Sequence, residues 1–163
     1  MAAFRAATAS TKGRRYSGPV ATSVQIVFDC ADPDKLARFW AEALHYKLQD
    51  PPQGFDSWQA FLRAQGIPEE DWNSASAVVD PEGVGPRIYF QRVPKRKTVK
   101  NRVHLDLNVG GPRSAPHDDR RRRVDAEVAR LIQLGGRKAK ALDERGEYFV
   151  NMFDPEGNEF DVQ

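Results

Sequence analysis

The sequence predicts an α+β fold built from two tandem βαβββ modules, and an internal repeat is the main reason. The segment Val24 to Asp29 resembles the segment Val103 to Asn108, and the tetrapeptide Asp-Pro-Glu-Gly occurs at both 80–83 and 154–157. Both pairs are separated by roughly half the chain. Each half also reads as a strand, a helix and three further strands. A duplicated unit explains all three observations.

The composition is typical of one soluble globular domain. The chain has 163 residues, of which 40% are hydrophobic and 29% charged. The formal net charge is only +2, which argues against nucleic acid as a partner. No apolar run approaches the ~18 residues expected of a membrane span. The single cysteine, Cys30, fits a reducing cytoplasmic location.

Residues 1–22 differ in composition from the rest of the chain, and we expect a flexible basic arm there. They are rich in Ala, Ser, Thr, Gly, Lys and Arg, and they lack the apolar stretch of a secretory signal. Their lack of acidic residues leaves a transit peptide as an alternative. The rest, 23–163, is predicted to be a single domain, with module one at 23–94, a polar linker at 95–101 and module two at 102–163.

Hydrophobic periodicity places the elements of module one. A strand is predicted at 23–29, followed by a helix from Asp32 to near His45. Asp is a good N-cap and Pro33 suits the first helical position. Further predicted elements are strands at 46–50, 74–79 and 86–93 and a short helix at 56–64.

The least regular segment of module one is 51–73, which carries three large aromatic residues, Trp58, Phe61 and Trp72. These side chains either close the core or form the roof of a pocket. Burial in the core is the simpler interpretation of Trp58.

Module two follows the same plan. A strand is predicted at 102–108, followed by a helix at 120–134 that Asp118 or Asp119 caps. Its remaining predicted strands are 137–141, 148–153 and 159–162.

Alternation along several strands separates an apolar face from a polar face. The polar face carries Tyr89 and Gln91, then His104, Asp106 and Asn108, then Glu159 and Asp161. An open sheet with one solvated face would give the same pattern. If the two modules close around a cavity, Gln25, His104 and Asp161 converge from separate strands.

The paired modules and the C-terminal sequence Asp-Pro-Glu-Gly-Asn-Glu-Phe resemble the vicinal oxygen chelate superfamily. This group includes glyoxalase I, extradiol dioxygenases, and bleomycin- and fosfomycin-resistance proteins. The likeness covers 20–163 and is greatest to bacterial glyoxalase-like members of unassigned activity. It implies that the modules pair into a curved mixed sheet, forming a cup with helices outside. It also implies a small-molecule ligand and a homodimer.

In metal-dependent members of this superfamily, the ligands come from the first and last strands of each module. The corresponding first-strand positions here are Gln25 and His104, and the last-strand position of module two is Asp161. The superfamily usually has Glu at this last position, so Asp has a shorter reach. In module one Tyr89 is the best match and Gln91 the alternate, and neither is the usual carboxylate.

This set of donors would suit Ni, Co, Mn, Fe or Zn, but not a closed structural zinc site. The resemblance implies lyase or isomerase chemistry on a substrate with vicinal oxygens, in which the metal polarises a carbonyl and a base removes a proton. Glu159 and Asp106 are the candidate bases. Without a metal, His104 is interpreted as a hydrogen-bonded pocket histidine.

The alternative hypothesis is metal-free binding of an aromatic metabolite or antibiotic, as in drug-sequestering relatives. Aromatic walls with a few polar groups are what such a cleft requires. The candidate substrate-binding residues are Trp58, Tyr89, Gln91 and Asn108. A third hypothesis is a nucleic-acid or protein adaptor that uses the basic arm and the run Arg120–Arg123, and the low net charge disfavours it.

Overall fold

The computed structural model describes residues 22–144 and 146–163. The predicted basic arm, apart from Thr22, lies outside the described residues. Among the residues described, no helix is long and apolar enough to cross a membrane.

Module one forms a four-stranded mixed sheet with one long helix. The elements are β1 (Ile26–Cys30), α1 (Pro33–Leu44), β2 (Lys47–Leu48), α2 (Trp58–Ala64), a 3₁₀ segment (Glu69–Ser74), β3 (Ala75–Val79) and β4 (Ile88–Arg92). The strand order is β1-β4-β3-β2. β1 runs parallel to β4, and the other pairs are antiparallel.

Module two repeats this arrangement. The elements are β5 (Asp106–Leu107), α3 (His117–Gln133), β6 (Arg137–Glu144), β7 (Glu147–Phe153) and β8 (Glu159–Val162). The strand order is β5-β8-β7-β6, with β5 parallel to β8. The same order in both sheets confirms the predicted α+β fold of tandem βαβββ modules. In the described part of the chain the two sheets do not close into a barrel.

The ends of helix α1 follow the prediction from sequence. The Asp32 side chain accepts a hydrogen bond from the backbone amide of Lys35 at 3.2 Å, and Pro33 occupies the first turn. His45 ends the helix in the left-handed conformation with φ 57°. The helix therefore begins and ends where its capping residues indicate.

Helix α3 begins earlier than predicted, at His117. The prediction that Asp118 or Asp119 caps this helix is wrong, because both lie inside its first turn. Pro116 has an extended backbone, and its carbonyl accepts hydrogen bonds from the amides of Asp119 and Arg120. The two aspartates instead place negative charge at the positive end of the helix dipole, which is also favourable.

Strand β5 is shorter than predicted, since only two residues of 102–108 pair with β8 as a strand. Side-chain alternation indicates which face of a sheet a residue occupies, but it does not show how many residues pair with the neighbouring strand. The carbonyl of Leu105 still accepts a hydrogen bond from the Asp161 amide at 2.9 Å. The segment around His104 is thus held beside β8 without being part of the strand.

One core joins the two modules, and Trp40 of α1 lies at its centre. Its ring is fully buried and lies 5.4 Å from that of Phe28 in module one and 5.2 Å from that of Phe160 in module two. Arg130 of α3 donates to the carbonyls of Glu42 and Ala43 at the end of α1. The modules are therefore connected by packing as well as by the linker.

The two Asp-Pro-Glu-Gly turns share a backbone conformation but differ in their surroundings. Gly83 and Gly157 have positive φ values of 69° and 84°, which glycine adopts without strain. Asp154 is 1% exposed and accepts a hydrogen bond from Trp40 Nε1 at 3.2 Å, whereas Asp80 is half-buried and accepts from backbone amides of its own turn.

The second turn also reaches the N-terminus of α1. The Glu156 carboxylate accepts hydrogen bonds from the backbone amides of Ala31 and Asp32, at 3.2 and 2.9 Å. A carboxylate is favourable at this end of a helix because the unpaired amides and the helix dipole are positive there. The contact fixes the turn of module two against the helix of module one.

Candidate metal and ligand sites

Three ionisable side chains of module two converge on one point, and we call them the module-two cluster: His104, Asp106 and Asp161. His104 Nδ1 lies 2.7 Å from Asp106 Oδ1 and 3.9 Å from Asp161 Oδ2. Each residue offers a ligand atom, and these atoms all lie within 4.8 Å of one another. The side chains of His104 and Asp106 are about two-fifths exposed, at 41% and 39%, so an ion can reach them from solvent.

Pairing of β5 with β8 brings the cluster together, since Asp106 is the register partner of Asp161. Neighbouring amide side chains hold the two carboxylates. Asn151 on β7 donates to Asp161 Oδ1 at 2.6 Å. Gln163 donates to Asn108 Oδ1 at 3.1 Å and more weakly to Asp106 Oδ2 at 3.4 Å. Such outer hydrogen bonds fix the orientation of ligand groups.

His104 lines a cavity of about 720 Å³ between the modules. One wall is β1 with Val27, and another is the linker and the segment that follows it, with Val99 and Val103. All three valines are exposed to solvent. The volume lies within the range of small-molecule sites. The lining also includes the cations of the linker, Lys95, Arg96, Lys97 and Lys100.

Glu159, one of the two predicted bases, lines the same cavity but has other contacts. Its carboxylate accepts a hydrogen bond from the backbone amide of Asn101 at 2.9 Å and forms an ion pair with Lys97 at 2.9 Å. Partial burial alone would raise the pKa of Glu159, but the Asn101 amide and the Lys97 ammonium outweigh it and lower the pKa to about 2. The carboxylate is therefore a weak proton acceptor near neutral pH, and it anchors the linker to β8.

Replacing Glu159 with glutamine should remove a pH-dependent part of the stability. Because the folded pKa is lowered from 4.5 to about 2, this contribution is complete above pH 4.5 and is lost as the pH falls toward 2. We expect E159Q to be less stable than wild type by about 1–2 kcal/mol at neutral pH, with the difference vanishing in acid. Urea unfolding at several pH values measures it.

The exposed Glu82 provides the control, since E82Q should follow wild type at every pH. A stability difference between E159Q and wild type that stays constant from neutral pH to pH 2 would contradict the role of the Glu159 carboxylate as an ionised anchor.

In module one, the predicted ligands Gln25 and Tyr89 gather around Arg87. The Gln25 side-chain oxygen accepts a hydrogen bond from the guanidinium. The guanidinium carbon lies 5.1 Å from the centre of the Tyr89 ring. Gln91, the alternate ligand, donates to Asp29 at 2.7 Å. A positive charge between Gln25 and Tyr89 makes this pair a poorer cation site than the module-two cluster.

The aromatic segment of module one covers a second cavity, which we call the insertion chamber. Its volume is about 470 Å³, and its walls include Trp58, Phe61 and Trp72 of this segment and Tyr89 of β4. The three residues of the segment are half-buried, and helix α2 has no buried residue. Of the two alternatives that the sequence left open, the roof of a pocket is the one observed.

Arg87 is the residue of these sites that the sequence analysis did not single out. The alternation along the predicted strand 86–93 places Arg87 on the same face as Tyr89 and Gln91, and this was the available signal. Burial lowers the pKa of Arg87, although an arginine stays protonated throughout the physiological range. Arg87 contacts Gln25 and Gln49, which are distant from it in sequence. The alternation of polar and apolar residues could not show these contacts.

A family model for the glyoxalase-like domain matches residues 25–163. This chain belongs to the glyoxalase-like domain family. It is thereby a member of the vicinal oxygen chelate superfamily. No curated protein matches the sequence significantly.

Several solved structures share the fold of this chain. A hypothetical protein from S. aureus is 17% identical with a TM-score of 0.53, and the match covers 88% of this chain and 97% of that one. A glyoxalase/bleomycin resistance protein/dioxygenase family enzyme from Burkholderia phytofirmans is 13% identical with a TM-score of 0.53, covering 85% and 94%.

A third similar structure is a mutant of the fosfomycin resistance protein FosX from Listeria monocytogenes, complexed with Mn(II) and 1S,2S-dihydroxypropylphosphonic acid. It is 10% identical with a TM-score of 0.55, and the match covers 89% of this chain and 92% of that one. At identities this low, the similarity of these three structures to this chain shows a shared fold alone.

Proposed function

We propose that this glyoxalase-like protein binds a divalent metal at the module-two cluster and catalyses a lyase or isomerase reaction on a small molecule with vicinal oxygens. The observation that carries the proposal is the convergence of His104, Asp106 and Asp161, of which His104 lines the inter-module cavity. The Mn(II) in the FosX structure supports it by analogy of fold.

The donors of the cluster fit such an ion. One imidazole nitrogen and two carboxylates suit Mn, Fe, Co, Ni or Zn in an open site. Asp106 supplies a second carboxylate, which the superfamily resemblance did not assign as a ligand. The partial exposure of His104 and Asp106 leaves room for a substrate beside them.

A bound divalent ion would act as a Lewis acid on a substrate oxygen. Side chains of the protein supply the proton acceptor and the walls of the substrate site. Asp106 presents Oδ1 to His104, and its Oδ2 accepts a long hydrogen bond from Gln163. We assign Oδ2 as the acceptor of a proton from the carbon next to a substrate carbonyl. Val27 and Val103 line the cavity beside His104 and offer apolar surface to the carbon skeleton of a substrate.

Metal content tests this proposal directly. Untagged wild-type protein should hold about one divalent ion per chain after incubation with Mn, Fe, Co, Ni or Zn, and H104A and D161N should weaken binding at least tenfold because each removes a ligand. Elemental analysis and calorimetric titration with each metal alone measure this.

His117 provides the matched control, because it lies on α3 facing Asp143 at 3.2 Å, outside the cluster. H117A should bind metal as wild type does. Failure of wild type to bind any of the five metals, or equal losses in H104A and H117A, would rule out the metal-dependent function. Where a metal is bound, 2-oxoaldehyde adducts and catechols are the substrates to screen, and a chelator should abolish the activity.

A second candidate function is metal-free binding of an aromatic metabolite or antibiotic. The half-buried aromatic walls of the insertion chamber favour it. Binding of this kind should be unchanged by a chelator, which separates it from the metal-dependent reaction. A homodimer and a cytoplasmic location stay predictions from the sequence.

A further inference from the structure

The linker between the modules places positive charge on the inter-module cavity. Lys95, Arg96 and Lys100 line this cavity together with His104, and we call the three the linker cations. All three are exposed. Within the described part of the chain, none of them forms a hydrogen bond or an ion pair with another residue. Their charged groups are therefore open to a ligand.

The linker that carries these cations is attached to β8 at two points. Lys97 forms its ion pair with Glu159 at 2.9 Å, and the Asn101 amide donates to the same carboxylate at 2.9 Å. Lys97 also donates to the carbonyl of Val99 at 2.8 Å. The linker cations lie beside these attached positions in sequence, so the backbone that carries them is held at the cavity before a ligand arrives.

The charge balance of the cavity favours an anion. Its lining has two carboxylates, Asp29 and Glu159. Lys97 compensates Glu159, whereas Asp29 accepts a hydrogen bond from the neutral side chain of Gln91. Three linker cations thus face one uncompensated carboxylate, and a cleft lined mainly by one sign of charge attracts ligands of the opposite sign. A divalent ion at the module-two cluster would offset the two carboxylates of that cluster.

Apolar surface lies next to these charges. Val99 precedes Lys100 in sequence and Val103 precedes His104, and all four line the cavity. The two valines are 75% and 80% exposed, so their side chains have little contact with the protein. A ligand with an apolar carbon skeleton and a charged group would use both kinds of surface.

We propose that the substrate of the inter-module cavity is an anion, whose vicinal oxygens lie at the module-two cluster and whose separate negative group pairs with the linker cations. The proposal rests on the metal-dependent function and names its substrate class. Ammonium and guanidinium groups form charge-assisted hydrogen bonds with carboxylates, which are stronger than neutral hydrogen bonds. The linker cations then select an acid over its neutral analogue.

Calorimetric titration with 3-(3,4-dihydroxyphenyl)propanoate and its amide tests the proposal, because the two catechols differ in charge alone. The protein is loaded with Mn(II) and then freed of unbound metal. Wild type should bind the acid about tenfold more tightly than the amide, as expected of hydrogen bonds to a charged group. K95Q/K100Q should lose most of this preference while its affinity for the amide stays unchanged.

The matched control is R102Q/K138Q, which removes the same amount of charge. Arg102 directly follows the linker and Lys138 lies on β6, and both are exposed. Neither belongs to the lining of the cavity. R102Q/K138Q should keep the preference for the acid. An equal loss in the two double variants would mean that net charge, and not the linker cations, selects the anion.

The failure of this proposal is distinguishable from failure of the metal-dependent function, because metal content is measured separately. If wild type holds Mn(II) but binds both probes equally, or binds neither, the anionic substrate class is wrong and the metal site stands. If wild type holds no metal but prefers the acid in a manner that K95Q/K100Q abolishes, the linker cations bind an anion and the metal-dependent reaction is wrong.

Discussion

Replacing Trp40 with alanine should destabilise the protein by about 3–5 kcal/mol, the usual cost of truncating a fully buried tryptophan. The ring is 0% exposed and packs between Phe28 of module one and Phe160 of module two. The substitution would open a cavity in both halves of the core and leave Asp154 without one of its buried donors. Urea unfolding followed by circular dichroism measures the loss.

Trp58 serves as the control for this substitution. It is half-buried in the roof of the insertion chamber, so W58A should cost much less, about 1–2 kcal/mol. Equal losses for W40A and W58A would contradict the different positions that we assign to the two rings. Because Trp40 contacts both modules, wild type should unfold in one transition.

Replacing Asp154 with alanine should cost about 3 kcal/mol, because it leaves several buried donors without an acceptor. Its carboxylate accepts hydrogen bonds from Trp40 Nε1 and Asn158 Nδ2, and from the amides of Glu156 and Asn158. Burial raises the pKa of Asp154, and these four donors oppose that shift. Thermal unfolding near neutral pH provides the measurement.

The matching residue of module one, Asp80, is the natural control. It occupies the same tetrapeptide, but it is half-buried and its partners are backbone amides that water can reach after the substitution. D80A should therefore shift the melting temperature far less than D154A. A larger shift for D80A would mean that the turn itself, and not the buried network, provides the stability.

The sequence by itself determined the architecture of this protein. The repeat predicted two modules, and the structure has the same strand order in both sheets. Capping residues placed the ends of helix α1 because a cap acts on its immediate neighbours. Alternation assigned the polar faces, and pairing of β5 with β8 then placed Asp106 beside Asp161. The roles of these residues as ligands or bases stay predictions.

Tertiary structure decided the properties that depend on contacts between distant segments. Two identical tetrapeptides gave one buried aspartate and one half-buried aspartate, and Trp40 donates a hydrogen bond to the buried one, Asp154. The sequence left Trp58 open between the core and the roof of a pocket, and only the packing decided it. The contacts of Gln25 and Tyr89 with Arg87 could not be predicted from the sequence. Local patterns specify which face a side chain occupies, whereas its neighbours across the fold are set by how the modules pack.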